Sequence, residues 1–422
     1  MGTENLGWNR RRFLGHAGLG LIASPLVTGR AARATQDGPP SDRVVAALIG
    51  CGGRGMGLLG IHNDPLCTLA AVCDVDLDRM AAAKDRIGAA DSYQDFRRIL
   101  DRRDIDAVII ATPDHWHAAI TVMACQAGKD VYCEKPLCRT IEEGRTMTEA
   151  ARRYDRVVQM GTQYRSIART REACQWVRNG RLGQVHTVRL THPSNRTHPS
   201  EPGRQPPPRL DWDLWLGPAP WAAYHPARCH FTYRYFMDYG GGALADNGVH
   251  MFSVVSWAMG ADRAGPVSIE ATGRDEPNNL YDVPVDLRVQ YEFADPPFTM
   301  IWEQAAGQNL NLEFVGSQAT LSGFWEFQVT QGQADLSPTR GDELALEQSD
   351  SHSGNWLECI ASRRRPVMDV EIGHRVTCWS HLGNLAYQLG RKLRWNPAAE
   401  QFLDDDEANR LLHAPYRSPW RL

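Results

Sequence analysis

Three groups of residues in this 422-residue chain have types and spacings that could do chemistry. The first is Glu134-Lys135-Pro136, which closes the apolar run "KDVYCEKP" (129–136). In open α/β sheets ligands sit outside the carboxyl ends of the strands, so Lys135 would project into a site. There it could bond a hydroxyl or relay a proton. Pro136 fixes the backbone behind it and can hold a cis bond. The second group is Asp246 and His250 in "ADNGVHM" (245–251). Residues four apart share one face of a helix. An imidazole titrates near neutrality, so His250 could take a hydroxyl proton while Asp246 orients base or substrate. A capping aspartate followed by a core histidine would leave the same letters. The third group is Gly50-x-Gly52-x-x-Gly55 in "LIGCGGRG" (48–55), with Gly53 and Arg54 inside it and an acid, Asp74, 19 residues after Gly55. After a strand and before a helix, that pattern is the dinucleotide fingerprint. Gly50 would make the tight turn, Gly52 would let the backbone approach a pyrophosphate, and Gly55 would allow close helix packing. Asp74 would accept from ribose hydroxyls, which favours NAD over NADP because a 2′-phosphate would meet a carboxylate.

These groups need elements to position them. From residue 43 onward short apolar runs alternate with helical stretches. Strands are expected at 43–50, 67–76, 105–113, 129–136 and 157–164. Helices are expected at 57–63, 78–88, 92–103, 117–128 and 140–155, the last opened by a Thr140/Glu143 capping box. Strands alternating with helices on short loops predict a parallel, doubly wound sheet. After about residue 165 the pattern changes. One helix (170–180) leads to a strand (184–193) and a Pro-rich stretch (199–221). Strands then follow one another at 266–273, 285–293, 298–304, 311–316 and 319–323, predicting a large, open, mostly antiparallel sheet. An amphipathic helix at 374–390 is expected to pack back on the first domain. The fold class is therefore α/β: a Rossmann domain (43–165) and an α+β substrate and oligomerisation domain (166–422).

The order of parts resembles one family. "GCGGRG", "CDVD", "ATPDHWHA", "EKPLCRT" and "GGALADNGVH" stand as in the Gfo/Idh/MocA superfamily, the glucose–fructose oxidoreductase and inositol dehydrogenase relatives. The resemblance covers residues 43 to 422. It implies that Glu134, Lys135 and Pro136 lie beside the nicotinamide and that Asp246 and His250 form an Asp-x-x-x-His pair with the histidine as acid/base. It implies that Thr112, Pro113 and His115 contact the cofactor ribose and nicotinamide, with His117 a weaker case. Many relatives carry an aromatic residue where Asn247 stands, a difference that bears on pocket shape. It also implies association of copies through the open sheet. Gln163 and Tyr164, ending the last parallel strand, are expected to line the cleft. In the aromatic stretch 210–239, Arg234 and Tyr239 are expected near substrate, although Trp residues there suit a loop core equally well. Two metal-like histidines, His115 and His117, would diverge on a helix and lack a third ligand, so no metal is expected.

The activity implied is hydride transfer between bound NAD(P) and a hydroxyl of a sugar, polyol or glycoside. The alternative is a redox-neutral, NAD-dependent glycosidase, as some members oxidise a sugar hydroxyl transiently and return the hydride.

Residues 1–34 contain Arg10-Arg11-Arg12, Phe13-Leu14, a Gly/Ala-rich apolar stretch and Ala32-Arg33-Ala34. This resembles a twin-arginine signal peptide, followed by a linker at 35–42. It implies handling by the twin-arginine export machinery and a periplasmic or otherwise exported location. The net charge is −4 overall and +4 on residues 1–34, which leaves an acidic remainder and no footprint for nucleic acid. The ten cysteines form no C-x-x-C pair and read as small buried hydrophobes.

Overall fold

The short apolar runs expected as strands between Val44 and Gly161 form parallel strands, because helices cover both sheet faces and leave no polar side to alternate with. The computed structural model describes residues 43–88 and 91–422; the leader and linker read at 1–42 lie outside them. The first sheet contains β1 (Val44–Ile49), β2 (Cys67–Cys73), β3 (Asp91–Tyr93), β4 (Ala107–Ile110), β5 (Asp130–Glu134) and β6 (Val158–Gly161). Its order is β3-β2-β1-β4-β5-β6, all parallel. The chain leaves β1 for β2 on one side and returns to β4 on the other. That reversal opens a crevice at the carboxyl ends of β1 and β4. Helices α1 (Gly53–Leu58), α2 (Leu77–Ile87), α3 (Arg97–Leu100), α4 (His117–Gln126) and α5 (Ile141–Arg153) connect these strands. The Thr140/Glu143 capping box is present at the start of α5.

One expectation fails in this half. Residues 92–103 were expected to be one helix. Instead β3 pairs with the free edge of β2, Ala71 opposite Asp91, and only the four residues of α3 are helical. The polar sequence Asp91-Ser92-Tyr93 hides a strand whose stability comes from the ladder.

The second sheet contains β7 (Val185–His192), β8 (Pro266–Arg274), β9 (Asp286–Ala294), β10 (Pro297–Gln304), β11 (Asn311–Gly316), β12 (Ala319–Gly323), β13 (Phe327–Gly332), β14 (Leu393–Asn396) and β15 (Gln401–Phe402). Its order is β13-β12-β11-β7-β10-β9-β8-β14-β15. It is mixed and mostly antiparallel, with β10 and β7 running parallel. Helices α6 (Ala168–Arg178), α7 (Trp212–Leu216), α8 (Gly242–Asp246), α9 (Gly248–Met259), α10 (His352–Ser362), α11 (Val370–Leu389) and α12 (Asp406–Arg410) complete the chain. All ten cysteines are buried and unpaired.

The helix that matters most for the site is α11. It starts earlier than its amphipathic pattern suggests, because Asp369 caps it by accepting from Glu371 N–H. It touches α5 and β6 of the first sheet, and α9 and β8 of the second half. Thr377 Oγ1 accepts from Leu137 N–H at 3.3 Å, and His381 Nε2 lies 3.0 Å from Cys138 O. Both contacts hold the segment just after Lys135. Arg145 of α5 bridges Glu371 at 2.9 Å and Glu400 at 2.6 Å.

Trp379, 1% exposed, fills the seam on the other side of α11, 4.8 Å from the Phe293 ring and 6.1 Å from that of Phe252. Trp379→Ala is expected to cost about 3–5 kcal/mol of stability, read as a lower urea midpoint at unchanged slope.

Candidate active site

The glycine loop leaves β1 at Gly50, which adopts φ +93°. A Cβ there would lie 2.6 Å from the backbone of Ala111, so loop and β4 end can approach only with glycine. Gly55 lies buried beneath, against Gly50 O. At Gly53 the corresponding position is open space. Asp74, just past β2, accepts from Cys51 N–H at 2.6 Å and from Asp76 N–H at 2.9 Å. It therefore braces the loop as well as lining the cleft, and burial pushes its carboxyl up from the ordinary value.

At the other end of the cleft, Lys135 follows β5. Its Nζ donates to Asp246 Oδ1 at 2.5 Å and to Asp246 O at 3.0 Å. Arg234 Nη1 donates to Asp246 Oδ2. Burial pushes the Asp246 carboxyl up, but Lys135 and Arg234 outweigh it and hold the group well below the usual carboxylate range. The Lys135–Pro136 peptide is cis. His117 reaches Pro136 O at 2.7 Å and Thr112 O at 3.0 Å, tying two cleft loops together; burial pushes it down to about 4.

Asp246 and His250 do not share one helix. Asp246 ends α8, Asn247 forms the joint, and His250 lies in the first turn of α9. Both still face the cleft. The His250 ring meets the Tyr164 ring edge-on at 4.9 Å, and its Nδ1 is buried without a partner. Burial, then the Lys135 charge, push its imidazole well below 6.5, so it is neutral and able to accept a proton. Glu134 is fixed by Arg54 at 2.7 Å and by Gln163 at 3.3 Å. Gly161 makes this possible, since a Cβ there would lie 2.6 Å from the Glu134 carboxylate.

These parts surround one cavity of about 600 Å³. Gly50, Gly52, Gly53, Arg54 and Asp74 line one end, and Thr112, Pro113, Glu134 and Gln163 the middle. Lys135, Arg234, Asp246 and His250 close the other end. The residues fit a nicotinamide dinucleotide. The loop is open where Gly53 lies, an acid stands at the ribose end, and Thr112 Oγ1 is a buried polar atom without a partner.

Four expected residues do not line this cavity; the first, Gly55, packs beneath the loop. His115 is 1% exposed; its Nε2 lies 2.9 Å from Trp215 O, and burial pushes it down to about 3. Tyr239 is fully buried, 5.0 Å from the Trp215 ring and bonded by Arg228 at 3.3 Å. Both belong to an aromatic layer behind the wall. Tyr164 backs His250 instead of facing the cleft. Conversely, Arg79, Trp116, His230 and Tyr233 line it without having been singled out as site residues. Trp116 lay in the quoted "ATPDHWHA" and His230 in the aromatic stretch; neither had a spacing that marked it.

Two family models match the chain. One, described as an oxidoreductase family NAD-binding Rossmann fold, covers residues 44–162. The other, an oxidoreductase family C-terminal alpha/beta domain, covers residues 197–422. Levoglucosan dehydrogenase of Pseudarthrobacter phenanthrenivorans is 36% identical over 121 residues, 29% of this chain and 31% of that protein. A glycosyl hydrolase family 109 protein of Shewanella pealeana is 33% identical over 173 residues, 34% of this chain and 37% of that one. The chain thus spans about a third of the length of these curated relatives. The crystal structure of aldose-aldose oxidoreductase from Caulobacter crescentus, complexed with glycerol, shares the fold. Its TM-score is 0.64 at 22% identity, covering 83% of this chain and 99% of that one.

Gly50→Ala is expected to weaken dinucleotide binding by about 10- to 100-fold, the equivalent of forcing a non-glycine residue into a strained backbone region. Nucleotide released on denaturing the purified variant measures this, with far-ultraviolet circular dichroism checking the fold.

Proposed function

This chain belongs to the Gfo/Idh/MocA oxidoreductase family, and from that premise we propose that it is an exported NAD-dependent enzyme oxidising a hydroxyl of a sugar, polyol or glycoside. One observation carries the reading. Lys135, Asp246 and His250 meet at one end of a cavity whose other end holds the glycine loop and Asp74.

Bound NAD supplies the hydride acceptor. The side chains then have distinct tasks. Neutral His250 takes the hydroxyl proton. Lys135 gives two N–H bonds to Asp246, which leaves a third donor for the hydroxyl oxygen. Lys135, Arg234 and Asp246 together carry one surplus positive charge, which favours the oxygen as negative charge develops on it. Asp246 holds both cations in place. Lys135→Ala and His250→Ala are each expected to lower turnover about 100- to 10,000-fold while nucleotide content stays near that of the wild type.

The family 109 relative supports a second reading, redox-neutral hydrolysis of a glycoside through transient oxidation. The same groups serve either route, so the net product discriminates. The purified protein is mixed with a panel of sugars and aryl glycosides, following absorbance near ~340 nm, where a reduced nicotinamide absorbs. Lasting reduction with an oxidised sugar is the expected result. Released aglycone without lasting reduction would establish hydrolysis, and no change with any member of the panel would count against both.

The leader read at 1–34 supports export of a folded, cofactor-loaded enzyme. Any cofactor reduced outside the cytoplasm must be reoxidised in place, by a second sugar or by the same one. Changing Arg10 and Arg11 together to Lys is expected to retain the protein in the cytoplasm, as read by cell fractionation.

A further inference from the structure

A second group able to carry a proton lies just behind the cavity lining, apart from Lys135 and His250. Asp114 opens the turn Asp114–Trp116 after β4 and is 3% exposed. Its Oδ1 accepts from the Tyr233 hydroxyl at 2.8 Å. Tyr233 lines the cavity beside Arg234, whose guanidinium lies 5.4 Å from the centre of its ring. The phenol therefore stands between a buried carboxyl and the space where substrate reacts. The two residues are 119 apart in sequence, and only the fold joins them.

A buried carboxyl with a phenol as its neighbour has two states. Ionised, it accepts the phenolic hydrogen. Protonated, it donates to the phenolic oxygen and turns the phenol's own hydrogen outward. We propose that Asp114 and Tyr233 form a proton relay into the cavity, with Asp114 storing the proton and Tyr233 presenting it to a substrate oxygen. The balance is simple. The substrate oxygen gains the Tyr233 hydrogen as the Tyr233 oxygen gains the Asp114 hydrogen, and the Asp114 carboxylate left behind is reprotonated from water by the same path in reverse. This rests on the second reading above, hydrolysis of a glycoside, for the identity of the substrate oxygen, which is the departing one.

The surroundings suit the task. The groups facing Asp114 are Tyr233 and Arg234 from the turn Thr232–Tyr235, Lys135 after β5, Cys133 within β5, and Asp246 at the end of α8. Burial pushes the Asp114 carboxyl up, the bond from Tyr233 lowers it, and Asp246 raises it again, leaving it at about 7. Burial, reinforced by Asp114, pushes the Tyr233 phenol well above its ordinary value. The phenol stays a donor, and the carboxyl changes state near neutrality.

The test needs no substrate, so it stands or falls apart from the oxidoreductase reading. Infrared difference spectra of the purified protein, wild type minus Asp114→Asn, are recorded from pH 5 to pH 9 and then after transfer to heavy water. A protonated-carboxyl band is expected at pH 6, lost through a midpoint near 7. In heavy water that band should shift promptly in the wild type, because the phenol connects Asp114 to the cavity. In Tyr233→Phe the shift should slow by about tenfold or more, since exchange would then wait on local opening. A carboxyl ionised from pH 5 upward would overturn the proposal from the wild type and Asp114→Asn alone. Equal exchange in Tyr233→Phe, with the variant's thermal unfolding unchanged, would overturn it equally.

Discussion

The site depends on one carboxylate held between two cations. Asp246 accepts from Lys135 on one oxygen and from Arg234 on the other. Without it, two like charges would face each other in a partly desolvated space, each only 15–18% exposed in its side chain. Such clusters seldom add net stability, because desolvation offsets the attraction. Their value here is geometric. Lys135 comes from the first sheet, Arg234 from a turn more than 90 residues later, and Asp246 from the end of α8. Three elements from two halves of the chain must meet within hydrogen-bond distance. That requirement explains why α11 is buried along nearly its whole length and bonds to the segment behind Lys135.

The same logic extends behind the cavity wall. Phe96 and Trp116 line the cavity, and Trp420 lies against both from outside, 4.6 Å from the Trp116 ring and 6.2 Å from that of Phe96. Arg417 donates to Gly217 O and to Asp213, just beside α7 and within it, and α7 carries the wall residues Leu214 and Trp215. The last residues of the described chain therefore brace walls assembled from its first third and its middle. His115 and Tyr239 do comparable work from the inner aromatic layer.

Much of this was legible in the sequence, for physical reasons. Strands buried on both faces must be continuous apolar runs, so β1, β2, β4, β5 and β6 are visible without a structure. The glycine loop, Asp74 and Lys135 are legible because backbone approach and strand-end chemistry restrict residue choice locally. What was hidden depends on contacts between distant segments. The strand β3 is polar and exists because β2 has a free edge. The break between Asp246 and His250 follows from α8 ending at Asp246, with Asn247 as the joint, although helical spacing alone puts them on one face. Whether a histidine in "DHWH" faces a cofactor or an aromatic layer depends on Trp215, a hundred residues away. The Asp114–Tyr233 bond has no local signature at all.

Burial acts oppositely on acids and bases, and this cavity uses both directions. Removing water disfavours the charged form of any isolated group. For His250 that means a neutral imidazole, a proton acceptor; for Asp114 it means a carboxyl still protonated near neutrality, a proton donor. Asp246 sits in the same surroundings, yet Lys135 and Arg234 keep it ionised. One poorly hydrated region thus holds a fixed anion, a neutral base and a neutral acid; Lys135 and Arg234 act on both carboxyls but bond directly only to Asp246. A reaction that removes a proton from one substrate atom and delivers one to another needs that separation. Two identical carboxylates in identical surroundings could not supply it. The placement of Arg234 decides the matter, because it pairs with Asp246 and leaves Asp114 to the phenol.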